Sequence, residues 1–187
     1  MLVIITLPTF FEHEAEAIVA QFEQRGIDYL HLRKPTAGEG EVEALLQQIP
    51  AQYYPRIVMH DFHALAQKYG LGGIHLTGRH PEAPARWTGR ISTSCHSVEE
   101  LLRRKQEGVV TEGGRRAFAY LSLSPIFDSI SKQGYCAAFT SLELKAAKEQ
   151  GIIDSTVLAL GGVTFDRLAE VHQMGFGGAM ILGDAWR

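Results

Sequence analysis

The 187-residue sequence predicts an α/β fold, a single barrel in which eight parallel strands alternate with helices. Two observations support this prediction. Short apolar or β-branched runs recur along the whole chain, and amphipathic segments separate most of them. No Gly-x-Gly-x-x-Gly pattern follows the first run, where a doubly wound open sheet would carry it, so an open sheet is only the alternative.

Eight segments have the length and composition of buried parallel strands. Their spacing is typical of the repeated βα unit of a TIM-type barrel, which joins each strand to the next through a helix. The predicted strands are Leu2–Thr6, Tyr29–Leu32, Arg56–Met59, Gly73–Leu76, Arg90–Ser94, Ala117–Leu123, Thr156–Leu160 and Gly178–Leu182.

Helix boundaries are indicated at three places between these strands. Apolar side chains recur on one face of a helix predicted over Glu12–Arg25. Ser97 and Glu100 have the spacing of a capping box, which predicts that a helix begins there. Thr164 is expected to cap a helix over Phe165–Met174, which the glycine that follows would end.

Two segments depart from a regular eightfold repeat. Thr77–Trp87 contains two prolines and predicts a minimal fourth βα unit with a loop or one helical turn. The sequence ends at Arg187, soon after the eighth strand, so we expect the last helix to be missing or truncated. A partner could cover that position, which makes a homo-oligomer one expectation. Residues 1–187 are otherwise expected to form one domain.

Composition excludes several classes of protein. Apolar residues make up 45% of the chain and charged residues 21%, as in ordinary globular proteins. The net charge of −3 argues against a nucleic-acid partner, and no apolar run is long enough to predict a membrane span. Cys95 and Cys136 form no disulfide framework, so a reducing cytoplasm is expected.

Polar residues follow the second strand, at the end where parallel barrels carry their sites. His31 and Arg33 lie two residues apart, and strand alternation sends both toward the barrel mouth. Arg33 and Lys34 together are suited to an anion; the alternative is a solvated loop.

Residues after the third and fifth strands suggest a metal and an acid–base group. Asp61 is a candidate Mg²⁺ ligand, or it caps the following helix. His60 and His63 show no complete transition-metal set. His96 follows Ser94 at the end of the fifth strand and is a candidate proton carrier, since histidine titrates near neutral pH; the alternative is a structural hydrogen bond.

The ends of the sixth, seventh and eighth strands predict a phosphate site. Hydroxyl groups, a lysine and bare glycine amides are all suited to phosphate oxygens, and the seventh and eighth strands are where phosphate-binding barrels place them. The alternative for the glycines is that the turns need positive φ. The candidate residues are Ser129, Ser131, Lys132, Gly161, Gly162 and Gly183.

Taken in order, these segments resemble the thiamine-phosphate synthase/TenI superfamily from the first strand to the eighth. Each segment alone is a weak signal, but their shared order and spacing are specific. The matching segments are His31–Lys34, His60–Asp61, Gly73–Leu76, Ser94–Ser97, Tyr120–Lys132, Ala159–Gly162 and Gly175–Met180.

The resemblance implies an enzyme of thiamine biosynthesis that acts on a thiazole phosphate. A synthase would hold a pyrimidine diphosphate on Arg33, Lys34 and Lys132 with Mg²⁺, and the thiazole nitrogen would capture a pyrimidine carbocation. A TenI-type tautomerase would need no diphosphate and no metal. The candidate catalytic residues are then His96, Ser94 and Lys132, and the phosphate would lie on Gly161, Gly162 and Gly183, facing Ser129 and Ser131.

The sequence departs from the synthase pattern at the diphosphate end. The family's Gln-Leu-Arg-x-Lys begins here with His31, and Pro35 stands where the lysine belongs. Its Asn-Asp pair begins here with His60, and its second metal carboxylate is His80, a poor Mg²⁺ ligand. If His31, His60, His75 and His80 gather, a metal other than Mg²⁺ becomes conceivable.

These departures make thiazole tautomerisation our first hypothesis, with thiamine-phosphate synthase activity as the alternative. A catalytically silent protein that binds a thiamine precursor is a further alternative. The last alternative is an isomerase of another phosphate-binding barrel family, because such an enzyme would use the same glycine site.

Overall fold

The computed structural model describes residues 1–128 and 137–187 and contains a closed barrel of eight parallel strands. Around the barrel the order is β1, β2, β3, β4, β5, β8, β9, β10, and β10 pairs with β1. The predicted fold is confirmed. The strands are β1 (Leu2–Ile5), β2 (Tyr29–Leu32), β3 (Ile57–Met59), β4 (Gly73–Leu76), β5 (Arg90–Cys95), β6 (Val109–Thr111), β7 (Gly114–Arg116), β8 (Tyr120–Leu123), β9 (Val157–Leu160) and β10 (Gly178–Ile181).

Helices on the outside of the barrel connect most of the strands. They are α1 (Glu14–Gln24), α2 (Glu39–Gln48), α3 (His63–Tyr69), α4 (Val98–Glu107), α5 (Ser141–Glu149) and α6 (Leu168–Gln173), with short 3₁₀ turns over Ala51–Arg56, Phe165–Arg167 and Gly183–Trp186. Within the described ranges, no helix is long and apolar enough to cross a membrane.

Two helix starts differ from the predicted caps. At α4 the Ser97 hydroxyl accepts from the Glu100 amide as expected, but the Glu100 carboxylate accepts from the amide of His96 rather than Ser97. Before α6, the carboxylate of Asp184 accepts from the Phe165 amide at 3.0 Å, so the cap comes from the β10 side of the barrel and not from the predicted threonine. A residue distant in sequence therefore replaces a local cap.

An antiparallel hairpin interrupts the repeat between α4 and β8. Strands β6 and β7 pair through Val109 and Arg116, and a Glu-Gly turn joins them. The strand predicted over Ala117–Leu123 therefore begins too early, because the barrel strand starts at Tyr120. The minimal fourth unit is confirmed, since residues 77–89 between β4 and β5 contain no helix.

Apolar side chains form two separate layers. One cluster lies between the strands and the helices, where Ile4, Ile18 and Leu46 are fully buried. The other contains strand residues alone and fills part of the barrel interior; its buried members are Val3, Ile5, Tyr120, Leu158 and Met180. The interior is therefore a packed core, as is usual for small parallel barrels.

A buried ion pair joins Lys34, which follows β2, to Glu14, the first residue of α1. The Lys34 ammonium lies 2.6 and 2.8 Å from the two carboxylate oxygens of Glu14, and it also donates to the carbonyls of Leu7 and Thr9. Burial lowers the pKa of Lys34 and raises the pKa of Glu14, because desolvation outweighs their attraction. The structure thus places Lys34 away from the barrel mouth, and we no longer assign it to diphosphate.

Replacement of Lys34 by methionine should reduce the free energy of unfolding by about 3 kcal/mol, because it removes the ammonium that pairs with the buried carboxylate of Glu14. Urea unfolding at pH 7 measures the change. The matched control is Lys145→Met, since Lys145 forms an exposed ion pair with Glu149 and its loss should cost less than about 1 kcal/mol. Equal effects of the two substitutions would contradict the structural role of Lys34.

Candidate active site

A pocket of about 800 Å³ opens at the carboxyl ends of the barrel strands. Residues from β1, β4, β5, β9 and β10 and from the loops that follow the strands line it. The sequence candidates that it brings together are Arg33, Ser94, His96, Gly161, Gly162 and Gly183. Six residues from four segments of the chain therefore reach one cavity.

Two glycines form one side of the pocket after β9. Gly161 and Gly162 have φ of +89° and +65°, and a Cβ on Gly162 would lie 2.4 Å from the carbonyl oxygen of Asp128. No larger residue fits at Gly162 without moving this backbone. The turn therefore needs glycine for its conformation, which is the alternative role that the sequence analysis gave these residues. The same glycines border the pocket.

Three arginines line the pocket. Arg33 follows β2, Arg104 comes from α4, and Arg187 follows the last 3₁₀ turn. Carboxylates partly balance two of these charges, since Arg104 lies 3.9 Å from Glu100 and Arg187 lies 3.8 Å from an Asp184 oxygen. Sequence analysis found only Arg33, because helical periodicity does not show that Arg104 reaches over the rim of a barrel.

Three buried histidines lie side by side inside the barrel. The Nδ1 atom of His31 is 2.8 Å from Nε2 of His60, and the rings of His60 and His75 stack with centroids 4.3 Å apart. His60 and His75 also line the pocket, whereas His31 is fully buried. Of the four histidines that the sequence suggested could gather, His31, His60 and His75 therefore lie together, whereas His80 does not join them.

Hydroxyl groups hold the outer sides of this cluster. His31 Nε2 is 2.5 Å from the Tyr120 hydroxyl, and His75 lies 2.9 Å from Ser92 Oγ and 3.1 Å from Ser94 Oγ. Burial lowers the pKa of His31 and of His60 well below the usual value and that of His75 to about 3. All three rings are therefore neutral at pH 7.

His96 lies at the rim, on the same side as Ser94. Its Nδ1 atom is 3.3 Å from both the carbonyl and the hydroxyl oxygen of Ser124, which follows β8. The Ser122 hydroxyl donates to Ser94 Oγ at 2.8 Å, so the predicted pair is joined to β8. His96 is exposed at the pocket rim, whereas Ser94 also contacts His75.

Comparison with known proteins identifies the family. A family profile described as thiamine monophosphate synthase (TMP-TENI) matches residues 2–183. The chain belongs to this thiamine-phosphate synthase/TenI family. The resemblance recognised in the sequence is confirmed.

Individual relatives agree with this assignment. A thiamine-phosphate synthase of Listeria monocytogenes is 28% identical over 186 residues, which cover 95% of this chain and 80% of the relative. A crystal structure of thiamine phosphate pyrophosphorylase from Bacteroides thetaiotaomicron is 42% identical, with a TM-score of 0.83, and the match covers 99% of this chain and 84% of that one. The Pyrococcus furiosus protein of the same name shares the fold at 21% identity, with a TM-score of 0.69 and coverage of 97% and 84%.

The magnesium site that the synthase family implies does not fit the residues found here. One oxygen of Asp61 accepts from Arg79 at 2.9 Å and lies 3.3 Å from His80, which occupies the place of the second acid. The other oxygen is buried and has no hydrogen-bond partner among the described residues. One carboxylate already paired with a guanidinium is a weak donor set for Mg²⁺.

Asp61 also does not cap α3, the other role that its position suggested. Phe62 occupies the N-cap position of that helix, and Asp61 turns to Arg79 instead. The remaining candidates, Ser129, Ser131 and Lys132, lie outside the described residues.

The free energy of unfolding should rise as pH increases from 5 to 7 in the presence of a chelator. The buried His75 stays neutral down to about pH 3, whereas its unfolded form binds a proton below the usual value of 6.5. Its stabilising contribution is therefore complete above pH 6.5 and is lost by about 1.4 kcal/mol per unit as pH falls below that value. Urea unfolding between pH 5 and 7 measures the slope.

His75→Gln should lower the slope without abolishing it, because His31 and His60 are also buried and neutral, while the exposed His172→Gln should leave the slope unchanged. A wild-type stability that does not vary over this range would contradict a neutral, buried His75.

Proposed function

We propose that this chain is a thiamine-phosphate synthase, which joins a pyrimidine diphosphate to a thiazole phosphate and releases diphosphate. One observation carries the proposal: the same pocket contains the glycine turn after β9, a further glycine after β10, and three arginines. The relatives named above are synthases or pyrophosphorylases, so this activity now takes precedence over the tautomerisation that the sequence put first.

The thiazole phosphate would bind at the glycine turn. Gly161, Gly162 and Gly183 line the pocket and carry no side chains of their own, so phosphate oxygens could approach their amides closely. Ser129 and Ser131, which follow β8 in the sequence, remain the proposed hydroxyl donors to the same phosphate. This assignment requires no change in the turn, because its backbone conformation already requires glycine at positions 161 and 162.

The pyrimidine diphosphate would bind at Arg33, with Lys132 as a further proposed contact. In the reaction the carbon–oxygen bond to diphosphate breaks, the electron pair leaves with the diphosphate, and the thiazole nitrogen captures the pyrimidine carbocation. A fixed guanidinium favours this step because negative charge develops on the leaving group. Arg104 and Arg187 add positive charge to the same pocket.

Thiazole tautomerisation of the TenI type is the second candidate. It is favoured by His96, which lies at the pocket rim beside Ser94, and by the pairing of Asp61 with Arg79. A tautomerase needs a proton carrier and neither diphosphate nor Mg²⁺. In this reading His96 moves the proton, and Ser94 and Lys132 position the substrate.

Incubation of the protein with thiazole phosphate and pyrimidine diphosphate should yield thiamine phosphate, measured by liquid chromatography with and without Mg²⁺. Arg33→Gln should lower kcat/KM at least about tenfold, because it removes a charge from the leaving group. The matched control is Arg103→Gln on the exposed side of α4, which contacts Glu107 and should retain activity.

Absence of thiamine phosphate under all conditions would overturn the synthase proposal. If the same preparation converts a thiazole phosphate that carries a carboxylate into its tautomer, that result would support the tautomerase. Tight binding of thiazole phosphate without either product would support the silent binder.

A further inference from the structure

We infer that His31, His60 and His75 form a binding site for a transition-metal dication of the Zn²⁺ class at the inner end of the pocket. One ring nitrogen from each histidine lies within 4.8 Å of the other two. The three residues belong to β2, to the end of β3 and to β4, which are neighbours in the barrel. The closed sheet therefore holds the three donors in fixed positions.

The separation of the His31 and His60 nitrogens is close to the one that a shared ion requires, and the other pairs lie within 4.8 Å. Zn²⁺ binds imidazole nitrogen at about 2.0–2.1 Å, so tetrahedral ligand atoms lie roughly 3.3 Å apart. His31 Nδ1 and His60 Nε2 are 2.8 Å apart and share a hydrogen bond. An ion that replaces this proton needs a separation of about half an ångström more, which rotation of the rings supplies.

Hydroxyl groups already orient two of the rings from behind. The Tyr120 hydroxyl holds Nε2 of His31, and the Ser92 hydroxyl holds Nδ1 of His75 while it donates to the carbonyl of Ile74. Metal-bound histidines characteristically have their second ring nitrogen in such a hydrogen bond, which fixes the tautomer and the ring plane. The cluster thus has both the donors and the groups that hold them.

The donor set selects the kind of ion. Three imidazoles suit Zn²⁺, Fe²⁺ or Co²⁺, whereas Mg²⁺ prefers oxygen donors and would not bind here. His60 and His75 line the pocket, so a fourth coordination position would face the ligand space. Three neutral ligands leave the full charge of the ion, which would add to Arg33 in attracting an anion.

His31 and His60 stand where the synthase family has uncharged amides, and a histidine outside the cluster, His80, stands at the second magnesium carboxylate. His80 is held at the rim by Asp61, so the change there weakens the oxygen site. His31 and His60 instead add nitrogen donors deeper in the barrel. The proposed metal site is therefore distinct from the magnesium site and does not depend on synthase activity.

Metal titration of tag-free protein tests this inference. After treatment with a chelator, Co²⁺ should bind with one equivalent and produce visible absorption of a four- or five-coordinate site, and Zn²⁺ should displace it while excess Mg²⁺ should not. X-ray absorption of the Zn²⁺-loaded protein should show three imidazole ligands. Lack of binding, or fewer than three imidazoles, would overturn the inference even if no variant were made.

Variants locate the site. His31→Gln, His60→Asn and His75→Gln should each weaken Zn²⁺ binding by at least about tenfold in calorimetry, since each removes one donor. His172→Gln, on the exposed face of α6, and His80→Gln, at the rim, should bind as the unmodified protein does. Loss of binding in His80→Gln with retention in the other three would overturn the assignment and place the metal at Asp61.

Circular dichroism and thermal unfolding without metal establish that each variant folds. If one of the three variants fails to fold, the remaining two and the ligand count from X-ray absorption decide the outcome.

Discussion

Closure of the parallel barrel is the constraint on which the site depends. Strand β1 pairs with β2 on one side and with β10 on the other, through contacts such as Val3 with Tyr29 and Leu2 with Ala179. Because all eight barrel strands run the same way, every strand delivers its carboxyl end to one rim. Segments more than 100 residues apart, such as those around Arg33 and Gly161, therefore face one pocket.

The same closure forces polar side chains to find partners inside the barrel. Strand alternation points His31 and His75 inward, where little water reaches them. Each ring is bonded to a neighbouring hydroxyl or imidazole, as buried polar groups must be. One half of the interior is consequently apolar, around Met180 and Leu158, and the other half is a connected polar network. Burial of these polar groups costs desolvation free energy, which their mutual hydrogen bonds offset.

Much of the fold could be predicted because buried parallel strands leave a strong sequence signal. Apolar runs located all eight barrel strands, whereas the β6–β7 hairpin has only three residues in each strand and β7 is Gly-Arg-Arg, which carries no apolar signal. Local rules failed where a distant residue intervened: Asp184 caps the turn at Phe165, and Arg79 takes the carboxylate of Asp61. No periodicity in the sequence reports contacts of this kind.

The site was predicted in the same uneven way. Strand ends identified Arg33, His96 and the glycines, because their position follows from topology alone. The direction of Lys34 follows from strand alternation, which turns it away from Arg33 and toward Glu14. Arg104 could not be found, since its place in the pocket depends on how α4 packs against the barrel.

A crystal structure with thiazole phosphate bound is the most direct test of where the strand-end pocket holds the phosphate. The phosphate oxygens should lie within hydrogen-bonding distance of the amides of Gly161, Gly162 and Gly183, with the thiazole ring directed toward His60 and His75. A phosphate bound at Arg33 instead, or a ligand outside the strand-end pocket, would contradict the assignment of the glycine turn as the phosphate site.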